Sequence, residues 1–327
     1  MTPARGRTPA STYCPKLWDE ISIDQNGKVY ACCCSTAQSF GNIYKDPLRR
    51  AWNSGAARTM RKESLNGALK CYERCHLLHK AALPPPPPLK PLTVPYNELK
   101  VLTLRLGELC NIRCVMCTQN HRGARSLGMA ALKQLDLRPF QSIELVGGEP
   151  LFIKAAKEFF DYAVAQGKKV SFLSNGTLIT DEWARKIARH SVFIYISING
   201  ASRESHERVN VGSRWDKVMK SVRSIRRYRK AFHKTVLIQG HMTIVPENIK
   251  EVPLFIRTFK SLGFDRVCFS HSEDSVKYLF GDEQRLLDLK EGAAAAYAAS
   301  KHKADINMLG LVPLFKAALQ FHRNKER

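Results

Sequence analysis

Residues 102–117 read LTLRLGELCNIRCVMC, a short apolar run that leads straight into Cys110, Cys114 and Cys117. The Cys-x3-Cys-x2-Cys spacing lets one short loop wrap three thiolates around a single iron–sulfur cubane. Three ligands for four irons leave one iron with the open coordination position that catalytic metal sites keep. His121 lies near enough in sequence to complete a four-ligand zinc site instead, so a structural zinc knuckle is the competing reading.

Outward from this loop the chain alternates strand-like and helical patterns. Apolar runs rich in Val, Ile, Leu or Phe fall at 101–106, 142–147, 170–174, 193–198, 236–245 and 266–270, as buried parallel strands require. Amphipathic stretches with helical spacing lie between them at 153–165, 181–189, 215–228 and 248–262. Asp181 is placed as a helix N-cap and Gly263 as a helix stop. Serial strand-then-helix units with right-handed crossovers predict an α/β fold, a partial (β/α)6 TIM-like barrel, with an open doubly wound sheet as the other solution. In a barrel the chemistry collects at the carboxyl ends of the strands.

Four motifs occupy those ends: the cysteine loop, then Gly147-Gly148-Glu149-Pro150, then Ser174-Asn175-Gly176, then YISINGASRESHERV at 195–209. Glycine at 147 and 148 permits close approach of backbone to a ligand, and the short polar side chains of Ser174 and Asn175 suit hydrogen bonding. In this order the four motifs resemble the radical S-adenosylmethionine superfamily over nearly all of residues 98–272. The resemblance implies a radical SAM barrel in which Cys110, Cys114 and Cys117 hold a 4Fe–4S cluster. S-adenosylmethionine would bind the open iron and be reductively cleaved to a 5′-deoxyadenosyl radical. Gly147, Gly148, Glu149 and Pro150 would contact the methionine amino group, and Ser174 and Asn175 its carboxylate and the ribose. Ser197 matches the family's serine at the fourth strand end. Asn199 stands where an Asp is common, and Asn210 near where an Arg often sits. Thr243 and Val245 are candidates to flank the adenine, with packing of the barrel interior as the alternative.

Ahead of the barrel, ISIDQNGKVYACC at 21–33 carries an Asn26-Gly27 hairpin signal that brings Cys32 beside a strand end. With Cys14, Cys71-x3-Cys75 and the FGNIY segment, this order looks like the SPASM/twitch module of radical enzymes, which usually follows the barrel. The resemblance implies one auxiliary 4Fe–4S cluster on Cys14, Cys32, Cys71 and Cys75, with Cys33 or Cys34 as substitutes for Cys32. A four-cysteine zinc site is the competing reading. Five prolines at 84–88 predict a stiff extended linker. The expected division is a cysteine module at 1–80, a linker at 81–97, the core at 98–272 and a helical region at 273–327. Within the last, 283–303 and 311–327 read as helices.

The ten cysteines are bunched at spacings of two and three residues, which favours metal or cluster binding over disulfides in a reducing compartment. No apolar run is long enough to span a membrane and no secretory leader is evident, so a cytoplasmic location with no membrane partner is expected. A formal net charge of +23 attracts phosphates, nucleic acid or an acidic partner. The resemblance implies a flavodoxin or ferredoxin as electron donor and a peptide or sugar/aminoglycoside-like substrate undergoing oxidation, epimerisation or cross-linking. Cys268, on the sixth strand, is a candidate hydrogen-atom donor, against the plainer role of a small buried apolar residue. Two other readings remain: a zinc-stabilised nucleic-acid-binding protein, and a radical SAM enzyme acting on RNA.

Overall fold

The computed structural model describes residues 13–32, 38–69, 71, 75, 90–119, 121 and 125–325. The expected proline linker at 84–88, and Cys33 and Cys34, lie outside the described residues. In chain order the first elements are β1 (Glu20–Ile23), β2 (Lys28–Tyr30), β3 (Gly41–Asn42), α1 (Leu48–Trp52), α2 (Gly55–Leu65), β4 (Val101–Arg105) and β5 (Arg113–Cys114). Then come α3 (Met129–Lys133), β6 (Ser142–Val146), α4 (Lys154–Ala165), β7 (Lys169–Ser174), α5 (Asp181–His190), β8 (Phe193–Ser197), α6 (Arg203–Val209) and β9 (Asn210–Val211). The last are α7 (Trp215–Ala231), β10 (Leu237–Ile244), α8 (Val252–Thr258), β11 (Arg266–His271), α9 (Glu273–Phe280), α10 (Glu283–Ala299), β12 (Ile306–Asn307) and α11 (Leu311–Lys325). All six expected strands are present, and the result is a mixed α/β fold with parallel strands.

The chain divides into two compact units, one of residues 1–108, 124–147 and 155–168, the other of 109–123, 148–154 and 169–327. In the first, β1 pairs antiparallel with β2 and parallel with β4, and β4 pairs parallel with β6. The cysteine module therefore shares a sheet with the strands that follow the prolines. The β1–β2 hairpin turns as the Asn-Gly signal requires. Asp24 Oδ1 accepts from the Asn26 and Lys28 amides, and Gly27 takes φ +76, where a Cβ would lie 2.5 Å from the Tyr44 ring.

Fully buried Arg61 ties the unit together. Its guanidinium donates to the carbonyls of Leu17, Trp52 and Leu92 and to Asn53 Oδ1, and lies 4.2 Å from the Trp52 ring centroid. Burial lowers its pKa to about 10, which still leaves a cation whose charge is met by four acceptors and a π face.

In the second unit β7, β8, β10, β11 and β12 pair in that order, all parallel. Strand β12 was not legible, being two residues long inside a stretch that reads as helical. Thr180, not Asp181, caps α5, its side chain accepting from the Trp183 amide. Asp181 instead holds Arg227 and the Tyr228 hydroxyl. The expected 248–262 helix shortens to a 3-10 turn at Ile249–Glu251 followed by α8, and Gly263 stops the segment at φ +97.

His206 on α6 is fully buried, with Nε2 2.9 Å from Ser213 Oγ and its ring edge-on to Trp215. Burial pushes its pKa down from 6.5 to about 4. The unfolded chain then takes up a proton that the folded chain refuses, so stability falls as pH drops from about 6.5 toward 4, by up to about 3 kcal/mol. Urea unfolding across that window should show this slope, and His206→Gln should make it shallower, leaving the share of His241, whose pKa burial also lowers to about 4.

Candidate functional site

Leu109 to Cys117 form a loop of the second unit, held by two pairings. The Leu109 carbonyl accepts from the Glu149 amide at 2.8 Å. Strand β5 pairs antiparallel with β9, setting Cys114 opposite Asn210. The Cys117 amide closes the turn on the Cys114 carbonyl.

The three thiols lie in one another's electrostatic field. Burial raises the Cys110 pKa and pushes Cys114 up to about 12; Glu149 and Cys117 add to the rise at Cys110, and Cys110 and Cys117 to that at Cys114. Three thiolates can coexist there only against a cation, which an iron cluster supplies. Donors also face the sulfur: the Ile112 amide and, at 3.7 Å, Asn175 Nδ2 point toward Cys110, as hydrogen bonds to cluster sulfurs do. The donor set fits a cubane with three protein ligands.

Gly147 and Gly148 sit at φ +85 and +46, and a Cβ at Gly147 would fall 2.7 Å from the Gly107 carbonyl oxygen. The Gly148 amide donates to Gln119 Oε1 at 2.9 Å. Glu149 is fully buried and turns inward. Its oxygens accept from the Ser174 hydroxyl (2.9 and 3.1 Å) and the amides of Asn175 (2.7 Å) and Leu151 (3.1 Å). Burial raises its pKa to about 7 against those hydrogen bonds. Asn175 is itself fixed, donating from Nδ2 to Asn111 Oδ1 and accepting from the amide and hydroxyl of Thr177. Pro150 is buried beside this staple. Glu149→Ala strands two amides and the Ser174 hydroxyl, and should cost about 2–4 kcal/mol in denaturant unfolding.

At the ends of β8 and β10 the polar groups answer one another. Asn199 Oδ1 accepts from the Thr243 amide, Asn199 Nδ2 donates to Asn210 Oδ1, and Asn210 Nδ2 donates to the Ser197 carbonyl. Asn199 and Asn210 are buried, and this pairing occupies their amide groups. Val245 is buried at the strand end, its amide bound by Asn248, whereas half-buried Thr243 accepts from Ser270 Oγ. Cys268 is in register with His241 on one side and Asn307 on the other, and His241 with Ser197. Residues in register on parallel strands share a sheet face. Burial holds the Cys268 thiol protonated, its pKa pushed up to about 12. Gln119, Asn111, Thr177 and His241 carry no sequence signal that would have found them.

In the first unit Cys14, Cys32, Cys71 and Cys75 also converge. Burial pushes the Cys14 thiol up to about 12, with added repulsion from the other three, and its amide donates to Ser64 Oγ. Four thiols suit one 4Fe–4S cluster. Among the described residues no group of three His, Cys, Asp or Glu side chains is placed to hold a single metal ion. Anaerobic reconstitution should load about eight irons and no zinc per chain, falling to about four for Cys114→Ala or for Cys14→Ala.

Comparison with known proteins meets this geometry. Residues 104–259 match the radical SAM superfamily, and residues 14–76 match SPASM, an iron-sulfur cluster-binding domain. The chain carries a radical SAM domain and, ahead of it, a SPASM domain. These imply a 4Fe–4S cluster with S-adenosylmethionine in the one and auxiliary iron–sulfur binding in the other, and the two thiol sets fit those groups.

Mycofactocin maturase MftC of Mycolicibacterium smegmatis is 31% identical over 131 residues, 38% of this chain and 33% of that protein. The cysteine-type anaerobic sulfatase-maturating enzyme of Clostridium novyi is 26% identical over 193 residues, 51% of this chain and 50% of that protein. The chain thus spans a third to a half of the length of these relatives. Among solved structures, Streptococcus suis SuiB is 15% identical with a TM-score of 0.46, covering 63% of this chain and 48% of that one. No helix among the described residues is long and apolar enough to cross a membrane.

Proposed function

We propose that this protein is a radical SAM enzyme that removes hydrogen from a polypeptide substrate. The convergence of Cys110, Cys114 and Cys117 beneath the Asn175 donor carries this reading. The similarity to proteins named as maturases, one of them of sulfatases, supports a polypeptide substrate over a sugar. When bound, the 4Fe–4S cluster and S-adenosylmethionine supply a 5′-deoxyadenosyl radical by one-electron cleavage.

The chain's own groups prepare that step. Cys110, Cys114 and Cys117 would hold the cluster, three ligands for four irons. Gly147 and Gly148 keep side chains out of the cofactor's approach. Glu149 is a positioning residue: it fixes the Gly148 and Ser174-Asn175 turns relative to one another, and those turns would hold the methionine part of the cofactor. Ser197 and Thr243 offer polar groups at neighbouring strand ends. Cys14, Cys32, Cys71 and Cys75 hold one auxiliary 4Fe–4S cluster, and a flavodoxin or ferredoxin delivers the electron. Cysteines in this number without disulfides among the described residues suit the reducing cytoplasm.

Cys268 carries a hydrogen-return role. Its S–H bond breaks homolytically as a C–H bond forms on a substrate carbon radical, and the flavodoxin or ferredoxin plus a proton restore the thiol. Under dithionite without oxygen, the loaded protein should release 5′-deoxyadenosine, and Cys114→Ala should release none. In deuterated water Cys268→Ala should lose solvent deuterium from the product while still cleaving S-adenosylmethionine. Unchanged deuterium in that variant would remove the thiol from the mechanism.

A further inference from the structure

The end of α7 and the residues after it line a cavity of about 560 Å³ whose wall is four arginines, two lysines and one histidine between residues 223 and 234. Asp181 holds Arg227, and Asp265 holds Arg229. Exposed Arg223, Arg226, Lys230 and Lys234 have no ion pair among the described residues. Arg223 to Lys230 fall within eight residues of α7, about 12 Å at helical rise, with Lys234 just beyond its end, so these cations raise one another's energy, and an anion in the cavity relieves it. His233 closes the wall at φ +50, the one non-glycine residue with positive φ among the described residues. Helices usually end on glycine there, and a side chain in that conformation costs about 1–3 kcal/mol, which is tolerated where the site uses it.

The cavity lies at the wrong end for radical chemistry. Helix α7 leads into the start of β10, whereas the cysteine loop pairs with residues beyond the carboxyl end of β8. The eight residues of β10 rise about 3.3 Å each, or roughly 25 Å. An occupant here does not touch the reacting atoms.

Apart from the His233 imidazole, the wall offers no ring for a nucleobase to stack on, because the nearby Tyr228 and Phe232 cover each other. Tyr228 and Phe232 are stacked at 5.7 Å, with Arg185 over one and Arg189 over the other. Guanidinium forks with so little stacking surface suit carboxylates.

We propose that this cavity docks an acidic stretch of the polypeptide substrate, anchoring it at a distance from the residue to be modified. Its occupant's being the substrate rests on the reading above. At extended-chain reach, about seven or more residues must separate the anchor from the reacting residue.

The test is fluorescence anisotropy of a labelled poly-glutamate peptide of about ten residues on the full, cluster-loaded chain. Binding should weaken with salt, and combined Arg223→Glu, Arg226→Glu and Lys230→Glu should weaken it at least about tenfold. A control with the same charge change, Lys250→Glu, Arg257→Glu and Lys290→Glu, should lose less than about twofold. The milder pair Lys230→Gln and Lys234→Gln, checked by melting, covers any folding defect of the triple variant and should lose part of the binding. Equal losses in the two triple variants, or no binding by the unaltered chain, would overturn the proposal. So would tighter binding of an oligonucleotide of equal charge that the α7 variant abolishes. Because no turnover is needed, a chain that cleaves S-adenosylmethionine but ignores the peptide defeats the docking alone.

Discussion

Among the described residues Glu149 is buried without a counter-ion, and the arrangement of the candidate site depends on how its charge is met. A lone carboxylate in that setting is expensive, and the protein answers with amide and hydroxyl donors from both sides of the staple. Each donor belongs to a turn the site needs. Removing the carboxyl therefore does more than lose hydrogen bonds: it frees the Ser174-Asn175 turn from the glycine turn. Through Asn175 the same network reaches Asn111 and the Cys110 sulfur, so a residue that binds no iron controls how the cysteine loop is presented.

The strands and the cysteine spacings were legible because burial writes them directly: β-branched and apolar runs for parallel strands, thiols at fixed offsets for a cluster. Side-chain direction was not. Glu149 reads from its motif as a cofactor contact, yet both oxygens turn inward. Asn199 and Asn210 read as altered cofactor contacts, and they spend their amides on each other and on the backbone. A short motif specifies residue type, whereas orientation depends on donors that arrive from distant segments. Gln119, whose Oε1 accepts from the Gly148 amide, is a partner of that kind. Strand β12 was missed for a different reason, since two residues carry no periodicity.

The proline run suggests a boundary between modules, and β1 of the leading segment pairs with β4 beyond it. Parallel partners need a long crossover, and here the whole segment carrying α1, α2 and the Cys71-Cys75 pair is that crossover. Arg61 secures both of its flanks by binding carbonyls before and after the prolines.

That crossover has a consequence for biosynthesis. A ribosome delivers about 5–20 residues per second, so β1 waits several seconds for β4 with one edge open. All four cysteines of the module are out before that edge is covered. Cluster insertion into the leading segment can therefore precede closure of the sheet, and until β4 arrives β1 holds an unshielded strand, the kind of edge on which aggregation starts.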